Sequence, residues 1–247
     1  MKNDNENVVV GRNAIRELLK SEAGIDKIFV TPGNKHGGIG EIIALAREKG
    51  VAVSQISKSR LEELSGDIPH QGICAFVPAV EYASVSDILS AAQERDEKPF
   101  IVIADEITDP HNLGAIIRSA HCAGAHGVII PKHRSVGLNA AVLKASAGAA
   151  TYTPVAKVTN IASTIDLLKE KGLWVFGADM GGEPYYKTDL TGAVAIVLGN
   201  EGKGMTRLVK EKCDAIVSIP MYGDIDSLNV SCACSVLVCE AARQRRN

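Results

Sequence analysis

The chain has 247 residues, 46% of them apolar, enough to bury the core of one large domain or two modest ones. Its 27 Lys and Arg against 29 Asp and Glu give a formal charge of −2, which excludes a general polyanion binder, so any nucleic-acid contact has to be local. No run approaches the roughly 20 apolar residues that cross a bilayer, and the polar start Met1-Lys2-Asn3-Asp4-Asn5-Glu6-Asn7 lacks the apolar core of a secretion signal, so the expectation is a soluble cytoplasmic protein.

In chain order, Val8-Val9-Val10 leads into a helical pattern carried by Ile15, Leu18 and Leu19, and Ile25 to Val30 reads as a strand. A helix around Ile42 to Lys49, a strand at Val51 to Ile56, a short helix at Arg60 to Leu64 and a strand at Gly72 to Val77 complete a small α/β unit over residues 1–80. Residues 81–98, rich in charge, Ala and Ser, read as a linker with a helical part. Residues 99–247 then open on Phe100 to Ala104, a continuous apolar run of the kind a fully buried parallel strand requires. A helix follows from about Asn112, with Leu113, Ile116, Ile117 and Ala120 on one face. Strands at Gly127 to Ile130, Leu173 to Phe176 and Ala193 to Val197 alternate with helices near Asn139 to Ala147 and Ile161 to Lys171, and a last helix runs through Val230, Cys234, Leu237, Val238 and Ala241. Such alternation predicts a parallel sheet covered on both faces, and by pattern alone a doubly wound, dinucleotide-type fold.

Between the apolar run that ends at Leu198 and the last helix lies Gly199-Asn200-Glu201-Gly202-Lys203-Gly204-Met205. Two phosphate-binding motifs fail on its letters. A Walker A loop needs Ser or Thr after the lysine, where Gly204 stands, and a GxGxxG fingerprint needs a glycine at the position of Arg207. Three separated blocks instead carry a specific signal: Asp109-Pro110-His111-Asn112-Leu113-Gly114 with Arg118, the string Leu198 to Met205, and Ile219-Pro220-Met221 with Ser227-Leu228-Asn229-Val230-Ser231. In this order they resemble the SpoU family of RNA 2′-O-ribose methyltransferases over almost the whole chain. The start Val10-Gly11-Arg12-Asn13-Ala14-Ile15 is similar to the RNA-binding extension of the branch that methylates a guanosine of 23S ribosomal RNA.

That resemblance implies a small N-terminal RNA-substrate-binding domain, an S-adenosylmethionine-dependent C-terminal domain with a deep trefoil knot in place of a dinucleotide fold, and a homodimer. It sets Gly199, Ile219, Met221 and Leu228 against the cofactor and Asn112, Arg118, Glu201, Ser227 and Asn229 at the reacting ribose, the arginine supplied across the dimer. On their own letters Ile219 and Leu228 fit a core, Asn112, Ser227 and Asn229 fit helix caps, and Arg118 fits a surface ion pair. The chemistry suits the family assignment. Two apolar side chains can sandwich a flat base while glycine admits backbone beside it. A guanidinium can stabilise a developing 2′-oxyanion. It stays protonated below a pKa of about 12, so Glu201 is the easier proton acceptor and the base is left unassigned.

Basic clusters at Arg12, Arg16 and Lys20, at Lys132, His133 and Arg134, at Lys203, Arg207 and Lys210, and at Arg243, Arg245 and Arg246 are the local candidates for RNA contact, with Arg12 and Arg16 assigned to it. The six cysteines lack CxxC spacing and read as buried free thiols, and no metal-ligand motif joins the histidines, so no metal is expected. The expected function is methylation of a 23S ribosomal RNA guanosine. The alternatives are transfer-RNA ribose methylation and a non-catalytic RNA-binding protein of ribosome assembly.

Overall fold

The structure is a computed structural model that describes residues 8–20, 24–33, 38–66, 69–77 and 81–246, so the polar start Met1 to Asn7 lies outside the described residues. The chain divides into two compact units, residues 1–80 with the segment Leu138–Lys144, and residues 81–137 with 145–247.

The first unit runs β1 (Val8–Val10), α1 (Arg12–Lys20), β2 (Lys27–Val30), α2 (Gly38–Glu48), β3 (Ala52–Gln55), α3 (Lys58–Ser65) and β4 (Ile73–Phe76), with sheet order β1-β4-β2-β3. β4 pairs antiparallel with β1 and β2, and β2 pairs parallel with β3. The alternation of β4 shows why this sheet is covered twice: Ile73 and Ala75 pack with Ile15, Leu19, Ile39 and Ile42 of α1 and α2, while Cys74 points the other way onto Leu61 and Leu64 of α3. Burial there pushes the Cys74 thiol up to about 11.

From residue 81 on, α4 (Val85–Glu94) precedes β5 (Phe100–Ala104), α5 (Pro110–Cys122), β6 (Gly127–Pro131), α6 (Ala140–Ala145), β7 (Val155–Val158), α7 (Ile161–Glu170), β8 (Trp174–Pro184), β9 (Val194–Leu198), α8 (Arg207–Lys212), β10 (Ala215–Ser218) and α9 (Val230–Arg246); all but α6, most of which belongs to the first unit, lie in the second. The sheet is entirely parallel in the order β10-β8-β9-β5-β6-β7. All five residues of β5, β6 and β9 are buried, as a sheet covered on both faces demands. The chain leaves β5 towards β6 and β7 and returns on the other side through β8 and β9. Loops therefore diverge at the C-terminal ends of β5 and β9, where open α/β sheets form binding crevices.

The structure departs from the sequence reading at several elements. Residues 81–98 are not a free connector: α4 starts with a capping box between Ser84 and Asp87 and buries Ile88 in the core of the second unit, against Gly127, where any Cβ would collide with it. β8 continues to Pro184, well past Phe176. Four-residue β7 and β10 and six-residue α8 carry too few apolar residues for a periodic signal. Cys74 and Cys234 are buried free thiols, but Cys122, Cys232 and Cys239 are exposed on α5 and α9, which correct the expectation for those three.

His126, 1% exposed, sits under the N-terminal end of β5. Its Nδ1 accepts the Phe100 N–H at 3.0 Å, so the neutral ring carries its proton on Nε2 and donates to Glu97 at 2.9 Å. Burial holds its pKa below the usual 6.5, outweighing the raising effect of Glu97. A depressed histidine pKa means the unfolded chain binds more protons, so stability is present above pH 6.5 and is lost as pH falls towards the folded value. Denaturant unfolding should show stability declining from pH 7 to pH 5.5, and His126→Asn should flatten that slope; an unchanged slope would assign the decline to other groups.

Candidate active site

The loop after β9 is built around Asn200. Its backbone pairs with Gly204 in both directions, N–H to O at 3.1 Å and 2.8 Å; its Oδ1 accepts the Gly202 N–H at 2.9 Å, and its Nδ2 donates to the Glu106 carbonyl at 2.9 Å in the loop after β5. The turn closes because Gly204 takes φ +66° and Gly199 lacks a Cβ, which would collide with the backbone of Gly204 and Met205. Beneath it, Asp105 is buried and its carboxylate accepts the Thr206 N–H at 3.3 Å. Desolvation raises the Asp105 pKa. Sequence reasoning missed both Asn200 and Asp105, because an Asn before Glu-Gly and a charge after a strand are each common in turns.

A cavity of about 450 Å³ opens where β8, β9 and β10 end. Gly199, Ile219, Met221, Leu228 and Ser227 all line it, together with Leu198, Val217, Val230 and Leu237. Its charged lining is Asp179, Glu201 and Asp226 against Lys203, with the Asp179 carboxylate held by Lys210 at 2.6 Å. An apolar slot with an acidic excess suits a flat ligand that carries positive charge.

Asn112, Glu201 and Asn229 meet at one hydrogen-bonded chain. Asn229 caps α9, its Oδ1 accepting the N–H of Ser231 at 2.9 Å and of Cys232 at 3.4 Å and the Ser231 hydroxyl at 2.6 Å. That fixes the amide direction. Its Nδ2 donates to Asn112 Oδ1 at 3.1 Å, so the Asn112 Nδ2 faces and donates to the Glu201 carboxylate. Asn112 itself lies in the first turn of α5, which Asp109 caps through the His111 N–H at 2.9 Å, with Pro110 at the helix start.

Arg118 stands apart. It is exposed on α5, makes no hydrogen bond or ion pair among the described residues and is not in the cavity wall. Six residues place it about 9 Å along the helix from Asn112 and roughly 120° around it. In the first unit, Arg12 Nε donates to the Gln71 carbonyl at 3.1 Å and Arg16 pairs with Glu41 at 3.2 Å. Both arginines of α1 therefore have internal partners. No cluster of three or more potential metal ligands occurs among the described residues, and none of their helices is long and apolar enough to cross a membrane.

Comparison with known proteins covers both units. The profile of the SpoU rRNA Methylase family matches residues 99–239, and that of RNA 2′-O ribose methyltransferase substrate binding matches residues 8–83. A Bacillus subtilis relative named as a TrmH family tRNA/rRNA methyltransferase, YacO, is 44% identical over 239 residues, 96% of this chain and 95% of its own. Among solved structures, the SpoU methyltransferase AviRb from Streptomyces viridochromogenes, in complex with AdoMet, shares the fold with TM-score 0.65 at 24% identity over 97% of this chain and 90% of that chain. The TrmH/SpoU tRNA modifying enzyme of A. aeolicus gives TM-score 0.56 at 28% identity, over 61% of this chain and 77% of that one.

The amide chain separates two roles of Asn229. Asn229→Ala removes the cap and should lower stability by about 1 kcal/mol, a melting shift of roughly 2–4 °C. Asn229→Asp keeps the cap acceptor and should melt within a degree of the native chain, while losing the amide donor that orients Asn112. Equal melting losses in both variants would show that the bond to Asn112, not the cap, holds α9.

Proposed function

Since the chain belongs to the SpoU family of RNA 2′-O-ribose methyltransferases, we propose that it transfers a methyl group from S-adenosylmethionine to the ribose 2′-hydroxyl of a guanosine in 23S ribosomal RNA. The observation that carries this is a carboxylate, Glu201, held by the Asn229–Asn112 amide chain on the rim of an apolar, acidic cavity. When bound there, S-adenosylmethionine supplies an electrophilic methyl on a sulfonium centre. The residues fit it: Ile219 and Leu228 offer apolar faces to an adenine, Gly199 gives backbone access, and three carboxylates, one of them paired with Lys210, against Lys203 leave an acidic excess that favours a cationic ligand.

In this mechanism Asn112 holds one oxygen of Glu201 and leaves the other free to take the proton of the 2′-hydroxyl. Ser227, in the cavity wall, and Asn229, bonded to Asn112, are assigned to the ribose in this reading. Arg118 offsets the charge growing on the 2′-oxygen, and its distance and direction from Asn112 favour its delivery by the partner of a homodimer. The same reading includes the trefoil knot. Support comes from the path of residues 219–229, which cross from the sheet edge at β10, past the cavity, to α9 packed on α5 through the Ser119–Ser235 hydrogen bond of 2.8 Å. Residues 1–80 serve RNA recognition, supported by the substrate-binding profile over residues 8–83 and, in this reading, by Arg12 and Arg16 of α1. The likeness to the tRNA modifying enzyme extends over only 61% of this chain, which favours ribosomal over transfer RNA. Such a substrate makes the protein cytoplasmic.

The deciding experiment supplies labelled S-adenosylmethionine with separated 23S and transfer RNA and maps the alkali-resistant linkage. Label at one guanosine of 23S RNA is expected. Label in transfer RNA overturns the substrate, and no label in any RNA, with RNA still bound, favours a non-catalytic assembly protein.

Arg118→Ala should keep calorimetric binding of S-adenosylmethionine and lose turnover by about 10²- to 10³-fold. Mixed with a chain disabled by Gly199→Ala, it should regain activity at one site per heterodimer; proven heterodimers without activity would return Arg118 to its own chain's site.

A further inference from the structure

The four basic clusters of the sequence are spent unequally. Arg16 is paired to Glu41, Arg207 to Glu211, Lys210 to Asp179 and Arg243 to Glu240, while Arg245 is tied to the carbonyls of Gly192 and Lys98. Lys203 belongs to the cavity wall. The loop after β6 differs: Lys132, His133 and Arg134 are all exposed, and Lys132 and His133 have no side-chain hydrogen bond or ion pair among the described residues.

This loop is also rigidly set. The Lys132 N–H donates to the Val158 carbonyl at 2.7 Å, and the Val136 N–H and the Ser135 hydroxyl donate to the Ile107 carbonyl at 2.8 Å and 2.9 Å. Arg134 takes φ +60° and Glu106 φ +56°, two left-handed non-glycine residues on adjacent loops whose side chains pair at 3.1 Å. Each such residue costs of order 1 kcal/mol or more and persists where its surroundings over-determine it, a pattern found at binding sites. Glu106 is in turn held by Asn200, the neighbour of Glu201. A basic tripeptide is thus coupled through two loops to the reacting edge. β6 lies two strands from β9 in the sheet, roughly 10 Å at about 4.8 Å per strand.

We propose that Lys132 and His133, with Arg134 fixed by Glu106, bind backbone phosphates of the RNA one or two nucleotides away from the methylated ribose. The proposal rests on the RNA methyltransferase reading and adds to it the direction in which the strand leaves the site, over β5 and β6 and away from β10. It also fits the −2 charge of the chain, which requires phosphate contacts to be local.

The test compares the full chain with Lys132→Gln/His133→Asn, which keeps the Arg134–Glu106 pair, and with Lys98→Gln/Lys171→Gln, which removes two exposed cations at the opposite, N-terminal edge of the sheet. Binding of an in vitro 23S RNA transcript is measured against salt, with S-adenosylmethionine affinity measured by calorimetry. The loop variant should lose about 0.7 from the log–log salt slope for each phosphate contact given up on a single strand, raise the apparent KM for RNA and leave cofactor affinity unchanged. The control should keep the native slope. A loop variant with the native slope and KM overturns the proposal and makes the loop a solvated face, as does an equal loss in the control, which would reduce the effect to net charge. The slope decides this even without turnover, whereas a native chain that methylates no RNA counts against the activity itself.

Discussion

The loops that leave the C-terminal edge of a parallel sheet end with backbone groups that no strand can pair, and in this chain one side chain answers for two of them. The Asn200 side chain accepts the Gly202 N–H within its own turn and donates to the Glu106 carbonyl in the loop after β5. A buried polar group left without a partner costs roughly 1–3 kcal/mol, so the two loops are held to each other rather than merely adjacent. Asp105 does the same from below through the Thr206 N–H, at the cost of a desolvated carboxylate whose pKa is raised. The floor of the site follows from these contacts: Gly199 is backed against Met205, and the cavity opens on its far side.

The direction of the site follows from the start of α9. A helix N-terminus presents N–H groups that need an acceptor. Asn229 supplies its oxygen to them, so its nitrogen turns outward, and the sense of every later bond in the chain through Asn112 to Glu201 is then determined. An exposed glutamate on a glycine-rich loop would otherwise sample many rotamers. Here its carboxylate is oriented by a capping interaction in an element that begins 29 positions later in the chain.

Charge is handled by the same economy. A chain with net charge −2 holds many of its cations in internal pairs, on α1, α8 and α9. The cavity is acidic, as suits a sulfonium ligand, and the exposed Lys132, His133 and Arg134 follow β6, on the far side of β5 from β9. Opposite demands of a cationic cofactor and a polyanionic substrate are thereby separated along one sheet edge.

By itself the sequence determined the elements whose signal is local. β5, β6 and β9 are continuous apolar runs, α5 carries its stripe of Leu113, Ile116, Ile117 and Ala120, and the glycine loop and three motif blocks specify the family. Only the tertiary structure decided the rest. β7 and β10 are too short to carry a period and exist because a neighbouring strand pairs with them. α4, polar enough to read as part of a linker, becomes core because Gly127 leaves room for Ile88. That Asn112, Glu201 and Asn229 meet while Arg118 faces elsewhere, and that Lys132 and His133 stay unpaired while Arg16 and Lys210 do not, are facts about separations of many residues along the chain. Local propensity contains no information about such pairings, because each depends on which loop the sheet order brings alongside.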